Sequence, residues 1–172
     1  MLVATFQGSC KSTKIIKKMK KVDIKKSVLA GLFSAATLGV LTLLTYKTEF
    51  GLFLITSFGS SMVLLFGYPE ISFSQPKNIF FGHLLTSIVG IIFLYIVPLP
   101  IYLIIPLAVG FGVALMMLLN VTHPPAGANP IIVIMGSVSL DYLINPIIIG
   151  SLIILAFGVI LNRLILKKKY PL

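Results

Sequence analysis

Three stretches of this chain, residues 28 to 45, 79 to 97 and 147 to 161, contain no charged side chain. A soluble fold needs polar groups to cover its outside, and runs of this length leave none for that purpose. A hydrocarbon core about 30 Å thick takes about 20 apolar helical residues to cross, and each run approaches that length. Backbone groups in lipid have no water to bond, so such runs must be helical. The expected fold is all-α: a polytopic bundle of membrane helices in a chain where only 10% of the 172 residues are charged.

The net charge of +10 is concentrated at the ends. Lys11, Lys14, Lys17, Lys18, Lys20, Lys21, Lys25 and Lys26 precede the first apolar run, and Arg163, Lys167, Lys168 and Lys169 follow the last. Basic residues in short flanks stay on the cytoplasmic side, which places both termini inside and makes the number of crossings even. The leader pairs better with anionic lipid than with nucleic acid, since Phe6 is its one aromatic residue and no ordered basic domain accompanies it. No nucleic-acid partner is expected. Cys10 stands alone, so neither a disulfide framework nor a cysteine metal site can form within the chain. The first apolar run is long and has no small-residue cleavage site before Lys47 and Glu49, so it reads as a retained span rather than a signal peptide.

Six segments result. They run from about Ser27 to Tyr46, Phe50 to Gly67, Asn78 to Val97, Ile101 to Leu119, Ala126 to Leu140 and Pro146 to Leu166. Thr56, Ser57, Gly59, Ser60 and Ser61 interrupt the second, and the fifth is short and preceded by NVTHPPAGANP, residues 120 to 130, through which no uniform helix can pass. Pro76 suits the first turn of the third helix. Asp141, Asn145 and Pro146 read as a turn. The organisation is a basic cytoplasmic leader (1–26), a transmembrane domain (27–166) and a basic cytoplasmic tail (167–172). Small residues recur every four positions at Gly31, Ala35 and Gly39, at Gly82, Thr86 and Gly90, and at Gly110 and Ala114. Such faces serve internal packing or subunit contacts, with a homo-oligomer as the expected assembly.

An internal echo accompanies this pattern. FGSSMVLLFG (58 to 67) lies over AGANPIIVIMG (126 to 136), and Gln75, Pro76, Gly82 and His83 lie over Asn145, Pro146, Gly150 and Ser151. With three crossings in each half, parity makes the repeats inverted. In transporters of that design, interrupted helices in matching positions meet near the bilayer midplane. The interruptions at Gly59 to Ser61 and His123 to Asn129 each precede a short helix, whose free N–H groups and positive dipole end favour an anion.

At THPPAGANP, with SFGSSMVLLFGYPEISFSQPKNIFFGHLL upstream, the chain resembles the HPP family of integral membrane proteins, named for the tripeptide His123, Pro124, Pro125. The resemblance covers about residues 28 to 165. Family members in cyanobacteria and plant chloroplasts are associated with nitrite transport, so the resemblance implies a transporter of a small anion. Ser61 and Asn129 stand where small or apolar residues are the family expectation.

The candidate substrate-binding residues are Gly59, Ser60, Ser61, His123, Pro124, Pro125, Gly127, Ala128 and Asn129, with Gln75, Asn78 and His83 as supporting polar groups. His123 can donate to an oxyanion or carry a proton, or it can simply shape the turn before Pro124. Pro124 and Pro125 break the helix, and Gly127 permits close approach of a ligand or neighbouring helix. His83 can bond Gln75 or a loop carbonyl. Ser60 and Ser61 can bond substrate or satisfy the start of the short helix. Two imidazoles without cysteines or nearby acids make a poor metal site, and no cofactor is expected. Asp23, Glu49, Glu70 and Asp141 all fall in flanks or turns, so paired-carboxylate catalysis lacks its parts. The leading expectation is a non-enzymatic anion transporter in a prokaryotic plasma membrane. The alternatives are a membrane-embedded enzyme using His83 and His123 on a lipid, and a structural subunit of a membrane complex.

Overall fold

The computed structural model describes residues 23–49 and 51–172, and it is helical, with no strand among the described residues. The leader lysines up to Lys21, with Phe6 and Cys10, lie outside that range. Helix α1 spans Ile24–Lys47 and is capped by Asp23, whose carboxylate accepts from the Lys26 N–H at 3.0 Å. Residues 51–55 follow without regular secondary structure, fixed by Thr45 Oγ1, which accepts from the Phe53 and Leu54 N–H groups at 2.9 and 3.1 Å. Helix α2, Thr56–Met62, continues in wider π turns over Val63–Gly67. Helix α3 is Pro76–Ile96, opened by Pro76, and α4 is Ile101–Leu118. A 3₁₀ turn, Pro124–Ala128, leads into α5, Asn129–Gly136. The last helix runs unbroken from Leu140 to Ile165, with its central α-helical part, α6, at Ser151–Val159.

Four helices are long and apolar enough to cross a bilayer: α1, α3, α4 and Leu140–Ile165. The second and fifth segments are shorter: Thr56–Gly67 is an apolar helical run of about 18 Å, and α5, preceded by the Pro124–Ala128 turn, has 8 residues. The order long, broken, long therefore occurs twice.

Several boundaries differ from expectation. Gly59, Ser60 and Ser61 do not interrupt the second segment; the break precedes Thr56, and these residues lie inside the helix. Asp141, Asn145 and Pro146 are helical. The turn lies earlier, where Ser137 takes a left-handed conformation (φ 46°, ψ 46°) and ends α5. Pro146 falls in a π-wound stretch, Ile144–Gly150, where the ladder is already displaced from the α register that proline disrupts. The tail is not a free extension: Tyr170 is buried, its hydroxyl donates to the Ser74 carbonyl at 2.9 Å, and the Leu172 N–H donates to Gln75 Oε1 at 2.8 Å. Burial pushes the Tyr170 phenol above its usual range, while burial and the neighbouring Lys26 lower the Lys168 ammonium.

Helix α3 is the centre of the bundle, packed against α4, α5, the Pro124–Ala128 turn and the last helix. Phe58, Leu65, Phe66, Ile79, Ile147, Ile154 and Leu161 form the fully enclosed core. The small-residue faces divide sharply. A Cβ at Gly31, Gly39 or Gly110 would meet nothing within 4 Å among the described residues, and on α4 it is Gly112 that touches Thr86. Gly90 instead lies against Pro130 and Val133, and Gly158 against Leu65; Gly82 lies against His123 and Ala126, and Gly150 against Phe58. These contacts are reciprocal. Gly82 and Gly150, Gly90 and Gly158, Phe58 and Ala126, and Leu65 and Val133 are each 68 positions apart. Helix α3 thus grips the Pro124–Ala128 turn and α5, and the last helix grips Thr56–Gly67, at glycines 68 positions apart.

Candidate functional site

Where the two broken segments meet, five polar side chains are shut away from solvent: Ser57 and Ser61 from α2, His83 from α3, and His123 and Asn129 from the HPP turn and α5. Buried polar groups must find partners, so their geometry can be read as a complete account. Ser57 Oγ donates to Asn129 Oδ1 at 2.7 Å. Asn129 Nδ2 donates to the His83 carbonyl at 3.1 Å and to Thr86 Oγ1 at 3.2 Å. A carbonyl can only accept, which fixes the amide nitrogen on that side. The same nitrogen lies 3.0 Å from His83 Nδ1 and has no lone pair to offer, so Nδ1 is an acceptor, one of three that share the amide's two N–H groups, and the His83 proton is on Nε2.

The other end is fixed in the same way. The Phe73 carbonyl lies 2.7 Å from His123 Nδ1, so that nitrogen carries the proton and Nε2 the lone pair. Ser61 Oγ stands between the rings, 3.0 Å from His83 Nε2 and 2.8 Å from His123 Nε2. It accepts from the first and donates to the second. One directed chain results: Ser57 to Asn129 to His83 to Ser61 to His123 to the Phe73 carbonyl. Every donor points the same way, an arrangement in which each bond polarises the next.

The scaffold explains this convergence. A Cβ on Gly82 would come 2.8 Å from His123 Cβ and 3.1 Å from the Val121 carbonyl, so only glycine lets the HPP turn press against α3. Asn78 Nδ2 pins the preceding residue by donating to the Thr122 carbonyl at 2.9 Å. Phe58 meets the His83 ring edge-on at 5.0 Å, and the two imidazoles are 5.0 Å apart. Thr86 is itself anchored, donating to the Gly82 carbonyl at 2.8 Å.

Of the residues expected here, Ser61, His123, Asn129 and His83 come together, and Pro125 is buried beside them. Gly59, Ser60 and Pro124 face outward. Ser60, Pro124, Pro125 and Ala128 line an open, largely apolar hollow of about 470 Å³ with Val63 and Leu64. Gly127 has no neighbour within 4 Å of a built Cβ, so no close approach requires it. Gln75 does not bond His83; its amide donates to the Pro69 and Ile71 carbonyls and holds the tail and inner loop. Ser57, Thr86 and the Phe73 carbonyl were not singled out as site groups. The available signal was spacing: Ser57 precedes Ser61 by four residues and Thr86 follows His83 by three, which puts each pair on one helix face.

A bundle of apolar spans around a sealed polar junction defines an integral helical membrane protein. The chain belongs to the HPP family, matching its transmembrane region over residues 19–171. Two relatives are transmembrane proteins of Dictyostelium discoideum. One is 34% identical over 126 residues, covering 69% of this chain and 44% of the relative. The other is 31% identical over 161 residues, covering 88% and 52%. The chain thus spans about half the length of these relatives, whose source lends no support to a prokaryotic membrane. No solved structure matches.

Proposed function

We propose that this HPP protein moves a small inorganic anion across the membrane at the junction of its two broken segments, with nitrite as the first substrate to test. The observation that carries the reading is the pair of contacts between those segments, Ser57 with Asn129 at 2.7 Å and Ser61 with His123 at 2.8 Å. Polar groups this deep in a bilayer are expensive to keep and are retained where something polar must pass. The first turn of α2 lies there, and its N–H end favours negative charge; α5 offers less, since its Asn129 N–H is bonded to the Ala126 carbonyl and Pro130 has none. The reciprocal glycine contacts support two inverted halves of three segments each, with both termini cytoplasmic. Nitrite comes from the family resemblance alone.

The test is flux of nitrite and formate in liposomes containing the purified protein, against empty liposomes. Wild type is expected to raise flux. Ser61→Ala and His123→Gln each remove a hydrogen bond that would serve a charged species, worth about 1.5–3 kcal/mol, and should lower it by at least about tenfold. Equal flux with and without protein for both anions removes the reading.

One observation favours a second reading. Ser61 donates to His123 Nε2 while the Phe73 carbonyl orients Nδ1, the arrangement of an activated serine nucleophile and its base. Ser61 is, however, also engaged by His83 and is wholly enclosed, so no substrate carbonyl reaches it in this conformation. Covalent labelling of Ser61 by a fluorophosphonate would favour a membrane hydrolase over a transporter.

A further inference from the structure

The hydroxyl that joins the two histidines has a third neighbour. Ser61 Oγ lies 3.1 Å from the Ser57 carbonyl as well as 2.8 Å from His123 Nε2, and its single proton can serve one of them at a time. With His123 neutral, that proton goes to Nε2. Suppose a proton from water is added to the Nε2 lone pair. His123 then donates from both ring nitrogens, to the Phe73 carbonyl and to Ser61 Oγ. Ser61 accepts from both imidazoles through its two lone pairs and turns its own proton to the Ser57 carbonyl. Within the protein no covalent bond breaks: one N–H bond forms at Nε2, the O–H bond that breaks is in the hydronium ion that delivers the proton, and the donors and acceptors of the junction keep their partners. Only a hydroxyl rotates.

The added charge has no resident counter-ion. Of the elements around His123, α2 brings Ser57 and Ser61, and the HPP turn and α5 bring no ionisable group besides His123 itself. Helix α3 brings His83 and, at its exposed start, Lys77; α4 brings Tyr102, exposed near its start; the inner loop brings exposed Glu70, and the tail brings Lys167, Lys168 and Lys169, of which Lys168 lies near Glu70, and Tyr170, bonded to Ser74. The carboxylates described, Asp23, Glu49, Glu70 and Asp141, are all exposed. A buried imidazolium without an acid is costly, and so is an anion in the same place; each relieves the other. Binding of the two is then linked, so each raises the affinity for the other.

We infer that Ser61 is a rotary hydroxyl switch through which His123 takes up one proton with each anion, so that the protein carries a weak acid as proton plus anion. The inference rests on the anion-transport reading and adds its coupling. The apolar lining of the adjacent hollow agrees with a neutral pair leaving the junction.

The experiment measures nitrite flux and pH together in liposomes containing the full chain, with the membrane potential set by potassium and valinomycin and with protein-free liposomes subtracted. In parallel, imidazole ¹⁵N spectra of the protein are recorded with and without nitrite. Expected are one proton moved per nitrite, flux indifferent to the imposed potential, and a rise of about tenfold per pH unit of acidification while the proton is limiting. In the spectra, nitrite should convert His123 Nε2 from an unprotonated to a protonated nitrogen and leave His83 neutral. Ser61→Ala should abolish both effects and Ser61→Thr, which keeps the hydroxyl, should restore them. Protein-dependent nitrite flux that carries charge without a proton overturns the inference and leaves transport standing. One-to-one coupling in Ser61→Ala overturns the switch. Neither flux nor any change at His123 removes both proposals.

Discussion

The reciprocal glycines permit a comparison in which distance and compliance give opposite orders. A Cβ at Gly158 would lie 2.7 Å from Leu65 Cδ1, 3.0 Å from Cδ2 and 3.1 Å from Cγ, whereas one at Gly90 would lie 2.9 Å from Pro130 Cα and 3.0 Å from Val133 Cβ. By distance alone Gly158→Ala is the worse change. Yet Leu65 meets the intruder with the end of a rotatable side chain, while Gly90 faces backbone and the stiff root of a β-branched residue. Replacing glycine in a helix returns up to about 1 kcal/mol of backbone entropy, which offsets the small shift Leu65 must make. Gly158→Ala should therefore lie within about 1 kcal/mol of wild type. Gly90→Ala must move α5 away from α3 and should lose about 1–3 kcal/mol, the usual cost of overpacking. Unfolding in mixed micelles by SDS, followed by circular dichroism, reads the difference. A Gly158→Ala loss equal to or larger than that of Gly90→Ala would refute the claim that compliance decides at these contacts.

Other substitutions probe the junction and the tail. Asn129→Leu leaves His83 Nδ1 and the Ser57 hydroxyl without their partner, while the His83 carbonyl keeps the Thr86 hydroxyl at 3.3 Å, so a loss of about 2–4 kcal/mol is expected, and ¹⁵N spectra should show His83 occupying both tautomers instead of one. Ser151 Oγ is buried without a partner, so Ser151→Ala should be neutral or stabilising by about 1 kcal/mol in the same SDS titration; clear destabilisation would mean the hydroxyl has an unrecognised role. Tyr170→Phe removes the bond to the Ser74 carbonyl, and at about 1 kcal/mol should speed tryptic cleavage after Lys168 or Lys169 roughly fivefold; an unchanged rate would mean apolar packing alone holds the tail.

The framework was readable because lipid leaves few choices. Apolar runs marked α1, α3 and α4 to within three residues, and Pro76 marked the start of α3, whereas the last helix starts at Leu140, six residues before the expected Pro146. Proline proved a poorer guide at Pro146, since a helix embedded in a bundle can widen around it, which no local rule reveals. The meeting of the broken segments was also foreseeable, from their matched positions in the two halves. What could not be read was which side chains point inward. Ser60 and Ser61 are adjacent and chemically alike, yet one lines the outer hollow and the other bridges two histidines, because successive helical positions differ by about 100°. Nor could the sequence foretell a main-chain acceptor: the Phe73 carbonyl sets the tautomer of His123 from 50 residues away.

The proposed pairing of two inverted halves also accounts for polar residues that do not repeat. At the offset of 68, Ser61 corresponds to Asn129, His83 to Ser151, His123 to Ile55 and Ser57 to Pro125. The glycines that govern packing are kept, while the hydrogen-bonding groups are not. A two-fold relation would suit a scaffold, since the same grip then holds both broken segments. It cannot suit a directed hydrogen-bond chain, which has a donor at one end and an acceptor at the other and is changed when the halves are exchanged. A directed path from Ser57 to the Phe73 carbonyl, with side branches at Asn129 and Ser61, therefore requires different side chains at matching positions. Serine at 61 and asparagine at 129 meet that requirement: one hydroxyl that can accept and donate at once, opposite one amide whose two ends are chemically distinct.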